Sequence, residues 1–218
     1  VWQIKAGRIT HDPIKQRIRY RDAQLEVFGI PVLYTPGLSH PDREGRNASG
    51  LLVPDFRLDR TLGLATELPY YLSFTQNSDL TITPTIYTNV NPALGLEYRH
   101  LAEGGPLRIG GIVTYSSKQI GTNAAGTTLA QNEVRGALWS NGRFQHSRHW
   151  RSTYGVRLAS DDTFLRRYDI SRDDTLRNFY SLEYQSRDMY FGVEGWAFQG
   201  LRSTDEQGQM PVVLPLID

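Results

Sequence analysis

The sequence predicts an all-β protein made of antiparallel, up-and-down strands. Three observations support this prediction. Apolar and polar residues alternate with a period of two along most of the chain, apolar residues at helical spacing are almost absent, and turn residues separate the alternating segments. The alternation is typical of strands that have one apolar and one polar face, and the regular turns indicate that neighbouring strands are joined as hairpins.

Composition narrows the classes of protein to which the chain can belong. The 218 residues carry 24 Lys and Arg against 23 Asp and Glu, and a net charge of +1 argues against a nucleic-acid-binding protein. Because the chain has no cysteine, disulfides, a thiolate nucleophile and cysteine-ligated metal sites are excluded. The most apolar stretch, Met210 to Ile217, is shorter than the ~18 apolar residues of a membrane-spanning helix.

The first alternating segments predict a small β unit. Ile18 and Tyr20 occupy one face of a strand. After a slip of one residue at Asp22, the apolar face continues with Leu25 and Val27. A slip that keeps the same face apolar is typical of a β-bulge, which inserts one extra residue into a strand.

Longer strands are predicted beyond a connector. The stretch from Pro31 to Pro54 is rich in proline and glycine, and it is predicted to join two β units. About eight alternating strands follow Arg60, many of them near the ~9–11 residues with which a tilted strand crosses a bilayer. Asn141-Gly142 is predicted to form a hairpin turn. The polar stretch SDDTFLRRYDISRDD, which begins at Ser160, is predicted to contain one helical turn.

The later strands combine an apolar face with a polar face that carries charged residues. This pattern fits a soluble β-sandwich, which buries one face, and it also fits a membrane β-barrel with a water-filled lumen. Long up-and-down hairpins, and aromatic residues near the strand ends, favour the barrel. The residues alone leave both architectures open. The charged residues of the polar face are Glu67, Glu97, Arg99, Arg108, Arg135, Arg157, Glu183 and Glu194.

Several segments, in order along the whole chain, resemble one known family. They are AGRITHDPIKQRIRYRDAQLEVFGIPVLYTPGLSHPD from Ala6, SGLLVPDF from Ser49, LPYYLSFTQNSDLTITPTIYT from Leu68 and EYRH from Glu97. These segments resemble LptD, the family of outer-membrane proteins of lipopolysaccharide assembly that is also called the organic solvent tolerance family. SDDTFLRRYDI, from Ser160, and the closing MPVVLPLID resemble its alphaproteobacterial members.

The resemblance implies a fold and a division into domains. Residues 1–48 resemble the end of a periplasmic, lipid-carrying β-jellyroll, and residues 49–61 resemble a connector. Residues 62–218 resemble the N-terminal part of a transmembrane β-barrel, with about eight of its roughly 26 strands. We therefore expect the chain to be a fragment of a longer protein. Its first part is expected in the periplasm and its barrel part in the outer membrane.

The resemblance also implies a function, which is the transport of lipopolysaccharide and its insertion into the outer leaflet. The path would run through a jellyroll groove, the barrel lumen and a lateral gate at the first strands. Pro69 and Pro84 match the gate prolines of the first two strands, and proline weakens strand pairing because it lacks an N–H group. The candidates for lining the lipid groove, with ordinary core packing as the alternative, are Ile18, Tyr20, Leu25 and Val27.

The implied partners are lipopolysaccharide, a plugging outer-membrane lipoprotein that is LptE-like, and a periplasmic jellyroll bridge that is LptA-like. We expect contact with a membrane and none with nucleic acid. Because the sequence has no recognisable catalytic, metal-binding or nucleotide-binding motif, we expect neither an enzyme nor a cofactor. Two alternatives remain, a general outer-membrane porin or receptor barrel and a soluble carbohydrate-active β-sandwich.

Overall fold

The predicted all-β fold is confirmed, and the strands form two antiparallel sheets. The computed structural model describes residues 2–14, 17–27, 29–41, 49–122, 128–202, 204–205 and 212–217. The first sheet has three strands, with the second strand in the centre. These strands are β1 (Trp2–Asp12), β2 (Arg17–Val27) and β3 (Ile30–Pro41).

The second sheet has 12 strands. In chain order they are β4 (Gly50–Leu51), β5 (Asp55–Asp59), β6 (Gly63–Glu67), β7 (Tyr70–Thr75), β8 (Ser78–Tyr87), β9 (Ala93–Ala102), β10 (Gly105–Thr122), β11 (Thr128–Gln145), β12 (Trp150–Ala159), β13 (Thr175–Gln185), β14 (Tyr190–Gly200) and β15 (Val212–Ile217). From β8 to β15 each strand pairs with the next one along the chain, which confirms the predicted up-and-down hairpins.

The predicted helical turn is α1 (Phe164–Arg167), which lies between β12 and β13. Among the described residues, the structure contains no helix of the length and apolarity needed to cross a membrane.

The prediction of a connector from Pro31 to Pro54 is wrong, because β3, β4 and part of the path to β5 lie in this stretch. Proline is tolerated in β3 because, among the described residues, this strand is at the edge of its sheet and pairs only with β2. β4 and β5 likewise lie within the predicted connector of residues 49–61, and both pair with strands of the second sheet.

The β-bulge predicted at Asp22 is absent, and the buried residues of β2 change from one face of the strand to the other there. Ala23 and Leu25 are buried, whereas Arg21 and Gln24 are exposed. β1 keeps the same register with β2 before and after Asp22, so no residue is added to the ladder there. Instead, Asp22 has a φ of 52°, a left-handed conformation that interrupts the pairing of β2 locally.

The predicted hairpin turn at Asn141-Gly142 is also wrong, because both residues lie inside β11. The chain turns later, at residues 146–149, between β11 and β12. A Cβ atom at Gly142 would lie 2.6 Å from the ring of Tyr154 and 2.7 Å from the ring of Phe144. This glycine therefore makes room for two aromatic rings rather than for a turn.

The second sheet exposes one apolar face and carries ion pairs on the other. The polar face holds Arg99 Nε 2.8 Å from Asp79 Oδ1, and Arg108 paired with Glu97 on the neighbouring strand. A β-sandwich requires a second sheet packed against the apolar face. Within the described residues no sheet packs there. Exposed apolar residues include Ile86, Leu94, Leu96, Ile109, Val113, Leu138 and Leu158.

The main core of the described residues lies at one end of the second sheet. Phe164, Leu165 and Tyr168, in and after α1, are buried against the ends of the strands. The rings of Tyr87 and Tyr168 meet edge to face with their centroids 5.6 Å apart. The other buried members are Leu62, Ala65, Ala93, Leu176 and Leu201.

Candidate functional site

β6 and β7 form one strand that is interrupted at Leu68 and Pro69. Both halves pair with β8, and the antiparallel register is the same on the two sides of the break. Leu68 therefore lies opposite Pro84, and Pro69 lies opposite Thr83. The two prolines predicted from the sequence thus meet at one level of two neighbouring strands.

Each of these prolines removes a hydrogen bond on a different side of the interrupted strand. The N–H of Leu68 donates to the carbonyl oxygen of Pro84 at 3.1 Å, but Pro84 has no N–H with which to return the bond that an antiparallel pair normally exchanges. On the opposite side, the N–H of Leu52 donates to the carbonyl oxygen of Pro69 at 2.8 Å, and Pro69 cannot donate in return. The pairing is weakened on both sides of the strand.

A third proline, Pro54, lies at the same level in the outermost strand. β4 pairs with β7 and β5 pairs with β6, so these two short strands follow the interrupted strand along its outer side. Residues 52–54 separate them and form no ladder pair. Pro54 is therefore part of a row of three prolines on neighbouring strands, which we call the proline row (Pro54, Pro69 and Pro84).

Sequence reasoning missed Pro54 and placed the other two prolines one strand too close to the edge. Pro69 lies in the second strand of the sheet and Pro84 in the third, because β4 and β5 precede them. A signal was present in the sequence, since the three prolines are separated by a constant 15 residues. One strand and one turn fit into such an interval.

The four groove candidates lie on β2, in the first sheet. Leu25 is buried together with Ala23, and Ile18 and Tyr20 are half-buried. Val27 belongs to β2, but its side chain lies outside the described part of the structure. Leu25 is thus a buried apolar residue of this sheet, and the role of the four residues in a lipid groove stays a prediction.

A buried ion pair holds the segment that carries α1 against β11. Arg135 and Asp161 form a bidentate pair with distances of 2.9 Å (Nε to Oδ2) and 2.7 Å (Nη2 to Oδ1). Their side chains are only 1% and 2% exposed. Arg135 also donates to the carbonyl oxygen of Ser117, and the hydroxyl groups of Ser160 and Thr163 donate to Asp161. All charges are therefore matched in this pair, as burial of charge requires.

The ionisation of Asp161 makes a pH prediction possible. Burial alone would raise the pKa of its carboxyl group, but hydrogen bonds from Arg135, Thr163 and Ser160 outweigh burial and lower the pKa well below its ordinary value. A carboxylate with a lowered pKa stabilises the fold above the ordinary pKa of about 3.9 and loses this effect only as the pH falls towards the lowered value. We therefore expect protease resistance of residues 160–174 to be unchanged between pH 7 and pH 5. Release of the segment near pH 6 would contradict this assignment.

Potential metal ligands do not cluster in the described part of the chain. No group of three or more His, Asp or Glu side chains is placed to hold a metal ion there. His146 instead lies 2.7 Å from the hydroxyl of Ser152, and His149 lies 2.9 Å from the carbonyl oxygen of Gln185. These contacts stabilise the turns at that end of the sheet.

Comparison with known proteins yields one consistent family. Residues 133–218 match the family described as "LptD: LPS transport system D". An LPS-assembly protein LptD from Actinobacillus pleuropneumoniae serotype 7 is 30% identical over 232 aligned positions, which cover 100% of this chain and 28% of the relative. The LptD of Legionella pneumophila strain Paris is 26% identical over 92% of the chain, and that of an Acidovorax species, strain JS42, is 39% identical over 46%.

These relatives are much longer than the chain. It spans between 12% and 28% of the length of the three proteins named above. The family match falls within the second sheet, whereas the Actinobacillus relative aligns with both sheets and with the proline row. The chain belongs to the LptD family.

Proposed function

We propose that this segment takes part in the transport of lipopolysaccharide and in its insertion into the outer leaflet of the outer membrane. The proline row is the observation that carries the proposal. A sheet that must only seal a membrane gains from complete ladders, because each unpaired backbone group in lipid is unfavourable by several kcal/mol. Three prolines at one level of the first three strands from the edge weaken the ladder at the place where an amphiphile could leave sideways.

In this proposal the second sheet is the first part of a transmembrane barrel. Its exposed apolar face contacts lipid, and its ion-paired polar face lines the lumen. Short turns connect β7 to β8, β9 to β10 and β13 to β14 at one end. The opposite end has a three-residue turn between β5 and β6 and otherwise longer connections. Because outer-membrane barrels have short periplasmic turns, the short-turn end is assigned to the periplasm.

The first sheet is proposed as the end of a periplasmic jellyroll that delivers the lipid to the barrel. β4, the strand that follows this sheet, pairs with β7 near the short-turn end, where such a delivery has to occur. The guanidinium of Arg17, on β2, also donates to the carbonyl oxygen of Ser49, just before β4. A plugging lipoprotein and a periplasmic bridge are the partners that this assignment calls for.

In this proposal the protein transports a lipid and catalyses no chemical reaction. A general porin is the alternative barrel function, but a porin needs no lateral opening, and nothing in its role requires aligned prolines at an edge. Energy for transport would come from other components, since the sequence has no nucleotide-binding motif.

Photo-crosslinking in the full-length protein tests the route. We expect a photoreactive residue at Leu25 to form an adduct with newly made lipopolysaccharide, because this side chain belongs to the proposed groove. The neighbouring Gln24 is the matched control, since it lies on the same strand but is exposed on the other face. Thr83, beside the proline row, is expected to yield an adduct as well.

Two results would count against the proposed route. Equal adducts at Leu25 and Gln24 would show unspecific contact, and the absence of lipid from Leu25 in a folded, transport-competent protein would show that this residue only packs a core. Adducts at Leu25 without any at Thr83 would separate lipid carriage by the first sheet from passage through the proposed gate.

A further inference from the structure

Three arginines line one cleft on the first sheet. The cleft has a volume of about 520 Å³ and lies over β1, β2 and β3. Arg8 and Arg21 are directly opposite each other on β1 and β2, and Arg19 lies opposite Thr10. Residues that face each other across an antiparallel pair project to the same side of the sheet, and so do residues two apart on one strand. The three guanidinium groups therefore share one side.

This arrangement concentrates positive charge that the described residues do not neutralise. No Asp or Glu is among the residues that line the cleft, and none of the three arginines has an ion pair within the described part of the chain. The carboxylate of Asp22, next to Arg21 in sequence, accepts a hydrogen bond from the hydroxyl of Tyr34 at 3.0 Å instead. Like charges directly opposite on neighbouring strands are unfavourable unless an anion lies between them.

The chemistry of the cleft suits a phosphoryl group. A guanidinium group binds phosphate through two parallel hydrogen bonds and stays charged at any physiological pH. The hydroxyl groups of Thr10 and Ser39 line the same cleft and can donate further hydrogen bonds to phosphate oxygens. The volume is within the ~300–1,000 Å³ range of ligand pockets, so it can hold a group larger than phosphate itself.

The neighbouring apolar surface indicates what such a phosphoryl group could be attached to. Buried Leu25 is four residues from Arg21 along β2, which is roughly 13 Å in an extended strand. The apolar and the basic part of the sheet therefore lie close enough for one amphiphilic ligand to contact both. We propose that the arginine cleft (Arg8, Arg19 and Arg21) is a binding site for phosphoryl groups, and that an amphiphile with a phosphorylated sugar headgroup is its ligand.

The lipid part of this inference relies on the proposed function, whereas the anion site itself does not. Binding is measured by titration calorimetry on the full-length protein in detergent. The ligands are inorganic pyrophosphate, purified lipopolysaccharide, and the same lipopolysaccharide after enzymatic removal of its phosphates. We expect removal of the phosphates to weaken binding at least tenfold.

Two variants report on the cleft. R8Q/R19Q/R21Q is expected to lose both pyrophosphate binding and the difference between the two forms of lipopolysaccharide. R8K/R19K/R21K keeps the charge but loses the paired hydrogen bonds, so it is expected to retain only part of the difference. The Gln variant should unfold at the same temperature as the wild type or higher in phosphate-free buffer, because it relieves repulsion between arginines. A lower unfolding temperature would indicate a structural role and would contradict the proposal.

The remaining outcomes decide the ligand. If pyrophosphate binds through the arginines and lipopolysaccharide binds no more tightly, the cleft is an anion site for free phosphates and the lipid assignment is wrong. If neither ligand distinguishes the Gln variant from the wild type, the cleft is not an anion site. Both results can be obtained whether or not the proline row acts as a gate, so they are independent of the crosslinking experiment.

Discussion

Replacing Pro69 and Pro84 together by alanine is expected to strengthen the edge of the second sheet and to impair delivery of lipopolysaccharide. The substitution Pro84→Ala supplies an N–H towards Leu68, and Pro69→Ala supplies one towards Leu52, so each completes a pair in which only one bond exists now. A hydrogen bond contributes about 0.5–1.5 kcal/mol, and two would contribute about 1–3 kcal/mol. The population of an opened edge would then fall roughly 5- to 150-fold.

Two measurements check this expectation in the full-length protein. Hydrogen exchange should slow at the backbone of residues 66–72 and 80–86, and the amount of lipopolysaccharide that reaches the outer leaflet should decrease at equal protein abundance. Pro106→Ala is the matched control, because Pro106 lies at the start of β10, away from the edge, and pairs with Leu101. Normal delivery by P69A/P84A, despite slower exchange, would show that the proline row is not a gate.

Adding Pro54→Ala tests the residue that only the structure identifies. The triple variant is expected to deliver less lipopolysaccharide than the double variant if the outermost strand takes part in the opening. Equal delivery by the two variants would restrict the gate to Pro69 and Pro84.

Arg135→Met is expected to destabilise the protein by about 3–5 kcal/mol, because it leaves the carboxylate of Asp161 buried without its cation. The segment of residues 160–174 should detach from the polar face of the sheet, since it is held by this pair and by the packing of Phe164 and Tyr168. Limited trypsin digestion measures the release, because Arg166 and Arg167 lie within the segment. Thermal unfolding in detergent measures the loss of stability.

Two further variants separate charge from packing. In R135M/D161L both charges are removed, and replacement of a buried pair by apolar residues is often neutral or stabilising, so we expect most of the stability to return. Arg157→Gln breaks a pair with Asp173 in which both side chains are nearly half exposed, and such pairs contribute at most about 1 kcal/mol. If R135M and R157Q had equal effects, the buried pair would not be what holds the segment.

The sequence was sufficient to predict the strands whose two faces differ most. In β8, Leu80, Ile82 and Ile86 alternate with threonine, and this period of two is what predicts a strand. Pro69 and Pro84 were named from the resemblance to the LptD family, and their role as gate residues stays a prediction. The features that the sequence could not reveal depend on contacts between distant residues.

The features that were mispredicted or missed depend on neighbours distant in sequence. Proline and glycine were taken as turn residues, yet β3 tolerates prolines because it has a neighbour on one side only, and Gly142 lies in a strand because two aromatic rings need its space. The short strands β4 and β5 have too few residues to show a period, and they are defined by pairing with β7 and β6. The bond between Arg135 and Asp161 joins residues 26 positions apart, which no local pattern reports.

The alignment of the proline row affects how the sheet deforms, apart from how strongly it is paired. Because Pro54, Pro69 and Pro84 lie at one level, the missing hydrogen bonds lie on one line across three neighbouring strands. On one side of this line β4 and β7 pair with each other, and on the other side β5 and β6 do. We therefore expect the corner with β4 and β7 to swing outwards while the corner with β5 and β6 keeps its pairing. Staggered prolines would soften the same strands equally, but they would give the motion no direction.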